Sequence, residues 1–145
     1  MAAERSASVT WSGDLQGGSG TIDEVGSGAL GPLDVSWAAR SEEESGGKTS
    51  PEELIAAAHA SCFSMALAGG LARAGSPPER LSTSATVTFV PGTGITKSAL
   101  SVRGSVPGMD AAAFAEAAEA AKTGCPVSQA LAGVPEITLD ASLEE

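Results

Sequence analysis

The chain has 145 residues, of which 42% are apolar and only 3% aromatic, with no tyrosine. That length suits a single domain, 1–145, with a core that needs no disulfide staples, filled mainly by Ala, Val, Leu and Ile. Eighteen acidic residues against eight basic ones give a net charge of -10, which argues against nucleic acid and against anionic membrane surfaces as partners. The acid surplus reads instead as a solubilising surface.

Residues 1–11 lack the apolar stretch of an export signal. A cytoplasmic location is therefore expected, and in a reducing compartment a pair of cysteines is more often reactive than structural. Three short strands are predicted at Ala7–Gly13, Gly20–Val25 and Leu33–Ala39, separated by glycine-rich turns. Alternation of Val9 with Trp11, and of Leu33, Val35 and Trp37, assigns each strand one inward face. A polar loop, Ser41–Lys48, follows and contains Glu42, Glu43 and Glu44 in a row.

The next element has the strongest start signal in the chain. Ser50 stands as N-cap, Pro51 at the first helical position and Glu53 where a capping box needs it. The helix runs to about Arg73, and Pro77 and Pro78 close it off. Its stretch Leu54–Ala72 carries no formal charge, yet it is mostly Ala, Gly and Ser with a histidine inside, which favours a buried central helix over a membrane span. About 24 residues make a rod roughly 36 Å long, and one apolar all round needs cover on every side. A chain this small supplies too little, so a partner subunit is expected.

A hairpin is predicted from Leu81–Val90 and Gly94–Val106, turning through Pro91–Gly94. Asp110 then caps a helix that ends at Gly124. Pro126–Ala132 forms a short helix and Glu136–Leu143 a final strand. The order βββ-α-ββ-α-α-β is an α+β arrangement without repeats or linkers.

Cys62, Cys125 and His59 are the candidate reactive groups. A lone cysteine on an apolar helix is by default a small buried hydrophobe, and that reading is open for Cys62. Cys125 precedes Pro126 as N-cap of the short helix, where free N–H groups favour a thiolate. Physical chemistry alone thus makes Cys125 the more acidic thiol. Cys62 lies about 16 Å from its helix N-terminus and needs a cation from another segment. Arg40, at the end of the third strand, is the candidate by position, against the plain alternative of an exposed strand-end charge. His59 can act as a base, join the cysteines around a metal, or simply be a partly buried, hydrogen-bonded residue; the spacing matches no zinc pattern and favours the last.

The run from Ser50 to Ile55, followed by Ala57-Ala58-His59-Ala60-Ser61-Cys62-Phe63-Ser64-Met65-Ala66-Leu67, resembles the signature helix of the OsmC/Ohr family of bacterial thiol peroxidases. Ala121–Ser128 around Cys125, Glu136–Asp140 and the opening Trp11–Leu15 resemble it as well, so the similarity covers nearly the whole chain. It implies an α+β fold with antiparallel sheets around a long central helix, in an intertwined homodimer with two equivalent sites at the interface. It further implies Cys62 as the peroxidatic cysteine and Cys125 as the resolving cysteine. Arg40 becomes the arginine that contacts the thiolate, and Glu52 the carboxylate that orients it through a bidentate bond. The implied substrates are hydroperoxides, mainly organic, with an external dithiol as reductant, a lipoylated protein in the related Ohr branch. No metal or prosthetic group is implied. Glu42–Glu44 stand as rivals for Arg40. The same fold without turnover would make a redox sensor or a small-ligand or metal-binding protein; peroxide-dependent thiol oxidation on metal-free protein separates these from an enzyme.

Overall fold

A computed structural model describes residues 1–144. Its contacts divide the chain into two compact units, Met1–Leu54 and Ile55–Glu145, with the division inside the first turn of the long helix.

In the first unit, β1 (Ala7–Ser12), β2 (Ser19–Val25) and β3 (Leu33–Val35) form an antiparallel sheet in sequence order. Val9 lies opposite Ile22, and Trp11 opposite Gly20. A side chain at Gly20 would stand 2.6 Å from the Trp11 ring, so the indole occupies the space that the missing side chain leaves. The expected inward faces are only half realised. Ile22 is buried, whereas Val9 and Trp11 remain 59% and 40% exposed, because nothing within this unit covers that face of β1.

The third strand is shorter than its alternation suggests. Ser36 adopts extended backbone and its hydroxyl accepts the Ala39 N–H at 3.1 Å, which starts a short helix, α1 (Trp37–Ser41). The capping hydroxyl outweighs the strand preference of Trp37. Arg40 therefore sits in the last turn of a helix and not at a strand end.

The long helix α2 (Pro51–Arg73) begins as its sequence predicts, with the Ser50 hydroxyl accepting the Glu53 N–H at 3.2 Å. Glu53 does not complete the reciprocal half of a capping box; its carboxylate takes the Thr49 hydroxyl at 2.8 Å. Within the second unit, α2 buries Phe63, Leu67 and Leu71 on one stripe against Leu100, Val102 and Phe114. Only 22% of its most apolar window is buried, and Met65 is 74% exposed. The single chain thus leaves much of this helix uncovered.

The second sheet comprises β4 (Arg80–Val90), β5 (Gly94–Ser105) and β6 (Glu136–Leu143), in that order. β4 and β5 form the expected hairpin, but β6 pairs with β5 in parallel, which corrects the expectation of purely antiparallel sheets. A parallel neighbour needs a crossover, and α3 (Ala111–Gly124) with α4 (Pro126–Ala130) provides it. Asp110 caps α3 by accepting the Ala113 N–H at 2.8 Å. Phe114 is fully buried, and its ring lies where a Cβ on Gly104 would come within 2.6 Å. Only glycine allows α3 to seat so closely on β5.

Candidate active site

Cys62 and Cys125 come together in the second unit. Cys62 projects half-buried from the middle of α2. Cys125 occupies the joint between two helices: its N–H donates to the Ala121 carbonyl at 2.9 Å, closing α3, and its carbonyl accepts the Gln129 N–H at 3.0 Å, opening α4. Pro126 at the first position of α4 suits this arrangement, since it has no N–H to satisfy. The Cys125 side chain is fully buried within the core formed by Phe63, Leu67, Phe114 and their neighbours. Both thiols are free, and each bears on the other's acidity.

The surroundings of the two sulfurs are unequal. Burial raises the Cys62 pKa, and its hydrogen bond to Cys125 raises it further, against a smaller lowering from the Val127 N–H. Burial also pushes Cys125 up, but the Cys62 thiol, the Ser128 N–H and hydroxyl, and the Val127 N–H together outweigh it and leave the Cys125 pKa lowered. Cys125 makes no conventional side-chain capping hydrogen bond, so the N–H contribution is the electrostatic pull of an open helix turn on a nearby sulfur. Within this pair the immediate surroundings favour the thiolate on Cys125 over Cys62, the direction the helix-terminus argument from sequence expects.

His59, one turn before Cys62, is completely buried and not partly so. Its Nδ1 lies 2.7 Å from the Ser98 hydroxyl on β5, and its Nε2 lies 2.7 Å from the Ser128 hydroxyl on α4. Burial lowers the His59 pKa, so the ring is neutral and offers one donor and one acceptor. Ser98 and Ser128 escaped the sequence reading. Their signals were an inward register with Leu100 and Val102 for Ser98, and a place three residues after the helix-capping Cys125 for Ser128.

The other two expected residues meet in the first unit. The Arg40 Nε–H is shared between both Glu52 carboxylate oxygens at 3.0 Å each. Both oxygens of the carboxylate thus engage the guanidinium. The Glu52 side chain is only 7% exposed and that of Arg40 33%, so the carboxylate fixes the guanidinium from the buried side. Glu42, Glu43 and Glu44 all lie exposed. Arg40 borders a cleft of about 300 Å³, lined chiefly by apolar side chains including Val9, Trp11, Leu15, Ile22, Trp37 and Leu54.

Two free cysteines brought beside each other, with surroundings that favour the thiolate of one and oppose that of the other, define a thiol-redox protein on an α+β scaffold. Comparison with known proteins agrees. The family described as OsmC-like protein matches residues 44–140. The chain is 44% identical over 147 residues to peroxiredoxin OsmC of Escherichia coli strain K12, with 99% of each chain covered, and equally similar to peroxiredoxin OsmC of Shigella flexneri. Among solved structures, an OsmC-like protein from Mycoplasma pneumoniae shares the fold with a TM-score of 0.72 at 14% identity and full coverage of both chains. OhrB of Bacillus subtilis, an organic hydroperoxide resistance protein, superposes with a TM-score of 0.62 at 24% identity, covering 96% of this chain and 98% of its own. The chain belongs to the OsmC family, and its activity class is that of a cysteine-dependent peroxidase.

Proposed function

We propose that the protein reduces organic hydroperoxides to alcohols, with Cys62 as peroxidatic and Cys125 as resolving cysteine. The observation that carries this reading is the pair of free thiols brought together from α2 and the α3–α4 joint. In the first step the Cys62 thiolate attacks the peroxide, the O–O bond breaks, and the departing alkoxide takes a proton to leave as alcohol. Cys62 is left as sulfenic acid. Cys125 then attacks the Cys62 sulfur, forming the disulfide as the hydroxyl departs as water. An external dithiol, for which a lipoylated protein is the nominated donor, returns both thiols by exchange.

Arg40 has the role of holding the charge on Cys62, and Glu52 that of aiming Arg40. The apolar cleft beside Arg40 supports a preference for hydroperoxides with a hydrocarbon body over hydrogen peroxide. The working form is a homodimer, supported by the uncovered apolar positions on both units, Met65, Val9 and Leu15 among them. Its place is the cytoplasm, where the dithiol reductants are maintained.

The test is a coupled assay on metal-free protein with tert-butyl hydroperoxide, cumene hydroperoxide and hydrogen peroxide, using dihydrolipoamide as reductant. Turnover with the organic substrates exceeding that with hydrogen peroxide is the expected result. Stoichiometric oxidation without turnover would assign the same cysteines to a sensor.

A further inference from the structure

A buried polar chain crosses the second unit beside the cysteine pair. Ser98 on β5, His59 on α2 and Ser128 on α4 are each under a tenth exposed, and their side chains connect end to end at 2.7 Å. Ser128 occupies the third position of α4, above the turn that Cys125 caps, and its hydroxyl acts on the Cys125 sulfur, favouring the thiolate there. The reaction described above leaves this chain unused.

We propose that Ser98, His59 and Ser128 form a proton relay that serves Cys125 during disulfide formation. Ser128 is the group in contact with the reacting sulfur, and His59 is a positioning residue that acts through it. This rests on the peroxidase reading of the two cysteines. The chemistry requires such a device at one moment. While Cys62 is the thiolate, Cys125 holds the proton of the pair, and that proton must leave before Cys125 can attack. The Cys125 S–H proton passes to the Ser128 oxygen as the Ser128 hydroxyl proton passes to His59 Nε2. The S–S bond forms while the S–O bond of the sulfenic acid breaks. The departing hydroxide becomes water with the proton that the relay returns. Atoms and charge balance as sulfenic acid plus thiol giving disulfide plus water, with no outside oxidant.

A neutral imidazole between two hydroxyls is suited to this exchange. When His59 Nε2 carries hydrogen it donates to Ser128, and Ser128 donates to a Cys125 thiolate. When Nδ1 carries it, His59 donates to Ser98 and Nε2 is open to accept from Ser128. The titratable group acting on Cys125 is Cys62, alongside the Ser128 and Val127 contacts. Burial is what acts on His59.

Single-turnover oxidation with one equivalent of cumene hydroperoxide separates the two steps: dimedone capture measures sulfenic acid on Cys62, and non-reducing mass spectrometry measures the disulfide. In Ser128→Ala the pH midpoint of disulfide formation should move upward. A thiolate fraction about tenfold smaller, partly offset by a nucleophilicity about threefold greater, slows the step roughly threefold below that midpoint. Sulfenic acid formation should keep the wild-type rate. Ser128→Thr should restore the profile. His59→Gln keeps an N–H toward Ser128 but accepts no proton there; it should slow disulfide formation while leaving the resting Cys125 midpoint in place. A Ser128→Ala profile coincident with wild type overturns the relay, as does equal slowing of both steps, which marks a structural role. Absence of both sulfenic acid in Cys125→Ser and disulfide in wild type overturns the peroxidase reading instead. The relay's contact with Cys125 is then judged from peptide-resolved iodoacetamide labelling of the reduced protein against pH, where an unshifted Cys125 in Ser128→Ala refutes it.

Discussion

The two thiols share a proton, and Arg40 is proposed to decide which sulfur keeps it. Within the pair alone the thiolate belongs on Cys125, since burial and the hydrogen bond to Cys125 raise Cys62. A hydrogen bond to a charged group contributes about 1.5–3 kcal/mol, which sets the preference Arg40 must overcome. A guanidinium brought to about 4 Å from the Cys62 thiolate, as the proposed role of Arg40 requires, would contribute roughly 4 kcal/mol at an effective dielectric constant of about 20. Arg40 already shares its charge with Glu52 at 3.0 Å, so the lower part of the resulting margin applies, about 1.4 kcal/mol or tenfold. Arg40→Ala should therefore cut Cys62 alkylation at pH 7 by at least about tenfold and return the thiolate to Cys125. Peptide-resolved iodoacetamide labelling from pH 5 to 9 reads Cys62, and 13C NMR of cysteine labelled at Cβ reads the buried Cys125 without requiring reagent access. A Cys62 profile unchanged by Arg40→Ala would refute the reasoning, and so would a wild-type thiolate already resident on Cys125.

Four further outcomes are expected. Cys62→Ser should abolish turnover, whereas Cys125→Ser should still consume one equivalent of hydroperoxide and leave a sulfenic acid on Cys62 that dimedone traps; first oxidation at Cys125 would reverse the assignment. Glu52→Ala should slow the first step in the same direction as Arg40→Ala but by less, since the cation stays and only its aim is lost. Sedimentation should find a dimer whose dissociation coincides with loss of circular dichroism, and a folded monomer at micromolar concentration would contradict it. Because burial holds the His59 pKa below its ordinary value, the unfolded chain takes up a proton below pH ~6.5 that the folded chain refuses. Stability present above that pH is then lost as pH falls toward the folded pKa, by at most about 1.4 kcal/mol per unit. Urea unfolding at pH 7.5 and 5.5 should show about 1 kcal/mol more loss in wild type than in His59→Gln, and equal losses would assign the pH dependence to other groups.

Where local chemistry is self-contained, the sequence was a sufficient guide. Ser50 with Pro51 located the start of α2, and Asp110 that of α3, because a cap and the helix it begins are neighbours in the chain. Both cysteines stood in recognisable flanks. The third strand failed at Trp37, whose alternation with Leu33 and Val35 resembles a strand while the Ser36 hydroxyl starts a helix. The parallel seat of β6 depends on where the α3–α4 crossover returns the chain, which alternation in Glu136–Leu143 cannot encode. Ser98 and Ser128 were missed because a serine in a strand or a short helix ordinarily faces water. What marks these two is a partner 39 and 69 residues away at His59.

That partner raises the question of why a polar chain lies so close to a core of Phe63, Leu67, Leu100 and Cys125. Stability is a weak answer. Two hydrogen bonds between neutral groups contribute about 1 kcal/mol each, and apolar residues of the same shape would serve nearly as well or better. The imidazole is also held neutral by its burial. Removing one member would strand its neighbours as buried polar groups, so the three side chains hold their places only together. Their common feature is position: the chain runs from Ser98 on the middle strand of the second sheet to Ser128 in the helix turn that Cys125 caps. A purely structural chain has no reason to lead to the one thiol that must lose a proton mid-reaction, whereas the proposed relay has to.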